Sequence, residues 1–312
     1  MNVLGGNVLV TGGAGFLARG LYRRARSENW DAEFTCYSRH EEAQDALRRR
    51  FPEVRSVVGD VRDVERLTSA MVGHDAVIHA GALKRIPECE LSAYETVQTN
   101  IMGSLSVLRA AGRALVRQVV GISTDKAASP VNIYGMSKAV MERLFAEAST
   151  DRTIFTCVRY GNVVGSTGSV ISLFQQQLAD LGRVRVTNPA MTRFWLGIDE
   201  AIDLVLLALT KAQPGSVVVP LARAMTVLDV ARAATRDDVE VEVIGQRPGE
   251  KEHELLLHYE ESVRARKHKD WFELLPPGAK GGADAFTIAS HSPHRRMSVT
   301  EMRWLIADAA EV

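Results

Sequence analysis

Tyr134 and Lys138 stand four apart in Tyr134-Gly135-Met136-Ser137-Lys138, a spacing that puts a phenol and an ammonium on one face of a helix. A phenol beside a fixed positive charge can release and regain a proton, because the charge favours the phenolate and draws its pKa from about 10 toward neutrality. Alone the pair is a modest signal. Context adds a carboxylate and a second ammonium just upstream, in Ile122-Ser123-Thr124-Asp125-Lys126. Near the start, Val10-Thr11-Gly12-Gly13-Ala14-Gly15-Phe16-Leu17-Ala18 reads Gly-x-x-Gly-x-x-Ala and opens into a helix. Glycines so spaced let the backbone turn tightly and approach a diphosphate at the helix N-terminus. An ordinary glycine-rich turn has the same composition, but the position after a first strand favours the binding role.

Two further positions bear on what such a turn holds. Sites that prefer NAD place an acid at the end of the second strand, whereas this chain has Ser38-Arg39 there. A hydroxyl and a guanidinium match the 2′-phosphate of NADP, although an arginine at a strand end is also a common solvated residue. Asp60, in Val58-Gly59-Asp60-Val61, is a candidate for the adenine amine, the competing role of helix N-cap falling to Asp63. His253 and His258 nearly match a zinc-binding helix motif, but one residue too many separates them for a shared face, so no metal site is expected. Arg48-Arg49-Arg50 reads as a solvated charge run.

These groups need a scaffold that gathers them. Apolar runs of strand length fall at Asn7 to Thr11, Glu33 to Tyr37, Val54 to Val58, Ala76 to His79, Gln118 to Ser123 and Ile154 to Arg159. Amphipathic stretches alternate with them at Phe16 to Glu28, Glu41 to Arg50, Val64 to Val72, Ala93 to Leu115 and Tyr134 to Ala148. The alternation predicts an α/β chain with a doubly wound parallel sheet, whose strand ends hold ligands. Later come helices at Val170 to Leu181, Glu200 to Lys211 and Thr226 to Ala234, with strands at Val184 to Thr187, Ser216 to Leu221 and Glu240 to Ile244. The tail from Glu260 is expected to be loops and one helix, Val299 to Ala309. We expect a dinucleotide-binding domain over 1–165, its sheet completed by 191–221, and a smaller substrate lobe from 166–190 and 222–312.

Composition narrows the role of this 312-residue chain. Lys+Arg 38 balance Asp+Glu 38, leaving no net field for nucleic acid or anionic lipid. At 46% hydrophobic and 24% charged the chain can bury a large core. The run Met1 to Asn7 lacks the basic start of a secretory signal, and the most apolar stretch, Ala201 to Leu209, carries Asp203 and is too short to span a bilayer. The three cysteines, Cys36, Cys89 and Cys157, suit reduced core thiols. A soluble cytoplasmic protein is expected.

On Gly12-x-x-Gly15, Ser123-Thr124 and Tyr134-x-x-x-Lys138 the chain resembles the extended short-chain dehydrogenase/reductase family, of Rossmann type. A narrower likeness rests on Ala82 to Pro87, Ser123 to Ala128, Arg159 to Ser166, Met191 to Trp195 and Arg247-Pro248-Gly249-Glu250-Lys251. These resemble the inverting UDP-N-acetylglucosamine 4,6-dehydratases of the polysaccharide biosynthesis protein family. Most sugar-nucleotide dehydratases that keep the C5 configuration have Thr-Asp-Glu where this chain has Thr124-Asp125-Lys126.

The resemblance implies NADP held by Thr11, Gly12, Gly15, Phe16, Leu17, Ser38, Arg39, Asp60, Val61, Ala80, Gly81, Ala82, Lys84, Asn100, Ser123, Tyr134, Lys138 and Val163. It implies a UDP-sugar held by Lys84, Thr124, Asn162, Ser169, Val170, Arg193, Arg247 and Glu250, and a homo-oligomer. Tyr134, assisted by Lys138, would take the O4 proton as the sugar is oxidised. Asp125 would protonate the departing C6 hydroxyl, while Lys126, its pKa depressed by burial and by Lys138, would remove the C5 hydrogen. Asn100 would hold an active-site helix, or simply face solvent. Relatives that keep C5, form the 5,6-alkene or epimerise the sugar are alternatives, as is an NADP-binding regulator without catalysis.

Overall fold

The computed structural model describes residues 5–282 and 284–312, so Met1 to Leu4, the start of the amino-terminal run, lie outside the described residues. The first half alternates β1 (Gly6–Thr11), α1 (Phe16–Ser27), β2 (Ala32–Ser38), α2 (Glu41–Arg50), β3 (Arg55–Val58), α3 (Val64–Met71) and β4 (Ala76–His79). There follow α4 (Ile86–Leu91), α5 (Ala93–Thr96), a π-helical turn (Val97–Met102), α6 (Gly103–Ala114), β5 (Gln118–Ile122), α7 (Ile133–Ala148) and β6 (Ile154–Val158). The six strands are parallel in the order β3-β2-β1-β4-β5-β6, the doubly wound arrangement expected, with its crevice where the order reverses at β1 and β4.

Strand residues are apolar almost without a break because both faces are covered. Val8 and Val10 join one core while Leu9 joins the other, and Ile78 and Val77, like Val120 and Val119, divide the same way.

The second half contains β7 (Asn162–Val163), α8 (Val170–Leu181), β8 (Val184–Val186), β9 (Thr192–Leu196), α9 (Ile198–Thr210), β10 (Val217–Pro220), β11 (Arg223–Thr226), α10 (Val227–Ala234) and β12 (Val241–Val243). After these come β13 (Leu255–Leu257), α11 (Tyr259–Ser262), β14 (Ala265–Lys267), β15 (Trp271–Leu274), β16 (Ile288–Ala289), β17 (Arg295–Arg296) and α12 (Val299–Ala309). Strand β10 extends the main sheet parallel to β6, as expected, whereas β9 lies in a separate sheet with β7, β11 and β17. Helix α9, which carries the most apolar stretch, packs on α1 with Asp203 paired to Arg24. No helix among the described residues is long and apolar enough to cross a membrane.

Four expectations are corrected. The tail is not loops and one helix: β15 pairs antiparallel with β10 and β14 with β15, so residues 265–274, assigned to the substrate lobe, edge the main sheet. Charged residues around these short strands, including the buried Glu273 that accepts from Gln213 N, hide their apolar alternation. The helix expected over Ala93 to Leu115 is interrupted by the π turn. His253 to His258 is not helical, since its centre is strand β13. The arginine run is not wholly solvated either, because Arg50 donates to the Glu311 and Val312 carbonyls. Cys36, Cys89 and Cys157 are buried and unbridged.

Candidate active site

A cleft of about 920 Å³ opens at the C-terminal ends of the parallel strands. One wall is the glycine-rich turn after β1. Gly12 has φ +66°, and a Cβ there would come within 2.9 Å of Gly81 N, so only glycine lets the turns after β1 and β4 lie together. Thr11 Oγ1 fastens that approach by accepting from Gly81 N (3.2 Å) and bonding His79 Nδ1 (2.8 Å). Gly15 caps α1 in extended conformation without a side-chain hydrogen bond, so the first turn of the helix keeps its N–H groups for an anion.

The floor is set by the turn after β5 and the start of α7. Ser123 N donates to Val158 O and Asp125 N to Tyr160 O, holding the turn to the next strand. Asn132 caps α7 by accepting from Gly135 N (2.8 Å). A Cβ on Gly135 would fall 2.2 Å from Lys126 O, so this glycine lets α7 press against the Asp125–Lys126 turn and bring Tyr134 beside it. Lys126 Nζ lies 2.9 Å from Asp125 Oδ1 and 3.3 Å from Glu254 Oε1. Asp125 is fully buried, and Thr124 Oγ1 donates to its Oδ1 (3.1 Å).

The electrostatics depart from the expected pattern. Burial pushes the Tyr134 phenol up to about 12, and the charge that opposes this comes from Lys126, with the Thr124 hydroxyl, not from Lys138. Lys138, 3% exposed with Met141 Sδ as its polar contact, is pushed down to about 8 by burial. Lys126 moves the opposite way from expectation. Burial alone would lower it, but Asp125 and Glu254 raise it, so Lys126 rests as an ammonium. Burial raises Asp125 despite Lys126, with Glu254 adding to the rise.

Gly12, Gly15, Phe16, Leu17, Ser38, Arg39, Val61, Ala80, Gly81, Ala82, Lys84, Ser123, Thr124, Lys126, Tyr134, Asn162, Val163, Ser169, Val170, Arg247 and Glu250 all line the cleft. Arg247 and Glu250 come from a loop docked on α7 by Asn132 Nδ2, which donates to Gly249 O (2.8 Å). Asp60 is off the wall, its carboxylate engaged by Arg62 and 3.6 Å from Arg39, while Asp63 caps α3. Arg193 is off the wall too, donating to the carbonyls of Thr192 and Glu252. Asn100 does not face solvent: from the π turn its side chain accepts from Leu83 N and donates to Leu83 O and Ser137 Oγ.

Sequence reasoning passed over Glu254, Glu142 and Trp195. Glu142 accepts from Ser123 Oγ and Arg159 behind the floor. Trp195 lines the cleft, and its buried Nε1 has no hydrogen-bond partner. The signal for Glu254 was a carboxylate abutting the apolar run Leu255-Leu256-Leu257, which the comparison with a zinc motif obscured.

A UDP-N-acetylglucosamine 4,6-dehydratase (inverting) of Campylobacter jejuni is 34% identical over 86% of this chain and 83% of its own length. A UDP-glucose 4-epimerase of Rickettsia massiliae is 37% identical over 86% of this chain and 82% of its own. The X-ray structure of Pen from Bacillus thuringiensis superposes with a TM-score of 0.91 at 32% identity, covering 100% of both chains. The dTDP-glucose 4,6-dehydratase DesIV of Streptomyces venezuelae, solved with NAD bound, shares the fold with a TM-score of 0.68 at 23% identity, over 78% of this chain and 86% of its own. The polysaccharide biosynthesis protein family matches residues 8–276. With the doubly wound sheet, the glycine turn and the Tyr134–Lys138 helix, this match shows that the chain belongs to that family, among the extended short-chain dehydrogenase/reductase enzymes that dehydrate or epimerise sugar nucleotides.

Proposed function

We propose that the protein is an NADP-dependent sugar-nucleotide 4,6-dehydratase that takes UDP-N-acetylglucosamine and inverts C5, giving a UDP-4-keto-6-deoxy-L-arabino-hexosulose. It would act in the cytoplasm as a homo-oligomer. The carrying observation is the pair formed by buried Asp125 and cleft-lining Lys126, at 2.9 Å in the floor beside Tyr134. An epimerase needs an acid/base at O4 only, whereas loss of water across C5 and C6 needs an acid and a base more. The epimerase relative keeps that second reading open, and absence of dehydration would favour it.

The site fits a dinucleotide on its own geometry: the Gly12–Gly81 approach leaves no room for a Cβ, and the uncapped first turn of α1 offers N–H groups to a diphosphate. Ser38 and Arg39 would hold the 2′-phosphate that distinguishes NADP, with Asp60 orienting Arg39. A bound nicotinamide dinucleotide supplies reversible hydride acceptance. Lys84, Asn162, Arg247 and Glu250 would meet the sugar nucleotide, whose lobe would be formed by 166–190 and the segments after 222 outside the main sheet.

Tyr134 Oη holds or releases the O4 proton. Oxidation at C4 acidifies the C5 hydrogen, and Asp125, whose affinity for a proton is raised by burial, delivers a proton received from Lys126 to the departing C6 hydroxyl. Because Lys126 rests as an ammonium, it becomes a base only by passing a proton to Asp125 across their contact. One internal transfer thus arms the acid and the base together. Tyr134→Phe is expected to lower turnover by at least about 10²-fold with sugar binding retained. Lys126→Ala should stop elimination yet leave a transient reduced-cofactor absorbance. Normal dehydration by either folded variant would refute these roles.

A further inference from the structure

The acid/base pair has a third partner. Glu254, 2% exposed, precedes β13 and places Oε1 3.3 Å from the ammonium that Asp125 also holds. Its Oε2 has no hydrogen bond and faces Lys251 Nζ at 3.8 Å. The segment is fixed from behind: Glu254 N donates to Ser290 Oγ (2.8 Å), Ser290 N donates to Glu254 O (2.8 Å), and Ser290 Oγ bonds Thr192 Oγ1 (2.6 Å). A buried carboxylate with one oxygen lacking a hydrogen bond is costly as a mere fastener. Its contact with Lys126 suits a role in the charge of that amine.

We propose, resting on the dehydratase reading, that Glu254 is a positioning residue that holds Lys126 against Asp125 and stabilises the charge Lys126 gains on taking the C5 hydrogen. When Lys126 has given its proton to Asp125, its free amine removes the C5 proton. The C5–H electron pair becomes the C5–C6 double bond, the C6–O bond breaks, and the Asp125 proton leaves in water. Lys126 is again an ammonium and Asp125 a carboxylate, the state from which the step began. A fixed negative charge beside a base strengthens it, as the buried aspartate of a hydrolase triad does for its histidine.

The groups that face this cluster are Asp125 and Lys126 on the turn after β5, Tyr134 on α7, Arg193 on β9, and Lys251 and Glu254 ahead of β13. Glu254 is held below the usual carboxylate range: burial opposes this, but Lys126, Arg193 and Lys251 outweigh it, so its charge persists.

The test is carbon-13 NMR titration of the Asp125 carboxyl, assigned by its loss in Asp125→Asn, in wild type, Glu254→Gln and Glu254→Asp, with near-ultraviolet circular dichroism to confirm folding. Removing the Glu254 charge should lower the Asp125 pKa by about one to two units, and the aspartate variant should keep most of the wild-type value. With UDP-N-acetylglucosamine in deuterated water, Glu254→Gln should slow C5 deuterium uptake at least tenfold, with KM unchanged and partial rescue in Glu254→Asp. A folded Glu254→Gln protein with wild-type Asp125 titration and C5 exchange overturns the proposal. Should the glutamine variant not fold, a folded Glu254→Leu protein with wild-type Asp125 titration and C5 exchange overturns it equally. A wild type that transforms no UDP-sugar refutes the dehydratase reading alone, and the Asp125 titration still decides on Glu254.

Discussion

Lys138 carries a buried charge that the fold tolerates at a cost. Its pKa of about 8 lies below the 10.5 of an ordinary lysine, so between these values the unfolded chain binds more protons than the folded one. Stability from this group therefore rises with pH across that window, and below about pH 8 the full penalty applies, on the order of 3 kcal/mol. Lys138→Met should stabilise the cofactor-free protein at pH 7 by roughly that amount while abolishing turnover, and the advantage should shrink as pH rises toward 10.5. Urea unfolding at several pH values measures it, and an unchanged midpoint at pH 7 would contradict the assignment. The i, i+4 spacing marked Tyr134 and Lys138 as candidates, and the Asp125–Lys126 pair was legible once set between Thr124 and Tyr134. Charge states were only partly legible: the adjacent Asp125 holds Lys126 as an ammonium, but Glu254, which adds to that hold, lies over a hundred residues away in sequence.

At the scale of elements, the site depends on contacts that tie the sheet to the later chain. Arg159, just after β6, donates to Glu142 on α7 (2.6 Å), to Glu261 on α11 and to Leu256 O on β13 (3.0 Å). All three charged groups are buried. Arg159→Leu leaves two carboxylates uncompensated and should cost roughly 3–5 kcal/mol, seen as a lower Tm that partly recovers when Glu142→Gln is added. A loss under about 1 kcal/mol would show that the network is not a structural tie. Strong periodicity made the first six strands and their helices readable, and Glu41–Arg50 and Val170–Leu181 fall at the expected bounds. The strands after Glu260 were not readable, because two to four residues of mixed charge carry too little alternation. Nor was the π turn, whose register serves Asn100 in pinning Leu83 and Ser137.

For the whole molecule, the parallel sheet brings the glycine turn at one end of the sequence, the Asp125–Lys126 turn in the middle and the Arg247–Glu250 loop near the other end to one cleft. The balanced charge of the chain fits a substrate recruited by local groups, not by a global field. In the proposed reaction this cleft would oxidise, dehydrate and re-protonate one sugar without net redox change. The most direct measurement is NMR of the product made from UDP-N-acetylglucosamine in deuterated water with a catalytic amount of NADP. The expected product is a 4-keto-6-deoxy sugar with deuterium at C5, L-arabino couplings and the original C4 hydrogen at C6. A C4 epimer that keeps its C6 hydroxyl would contradict it and establish an epimerase, and a D-xylo product would contradict the inversion.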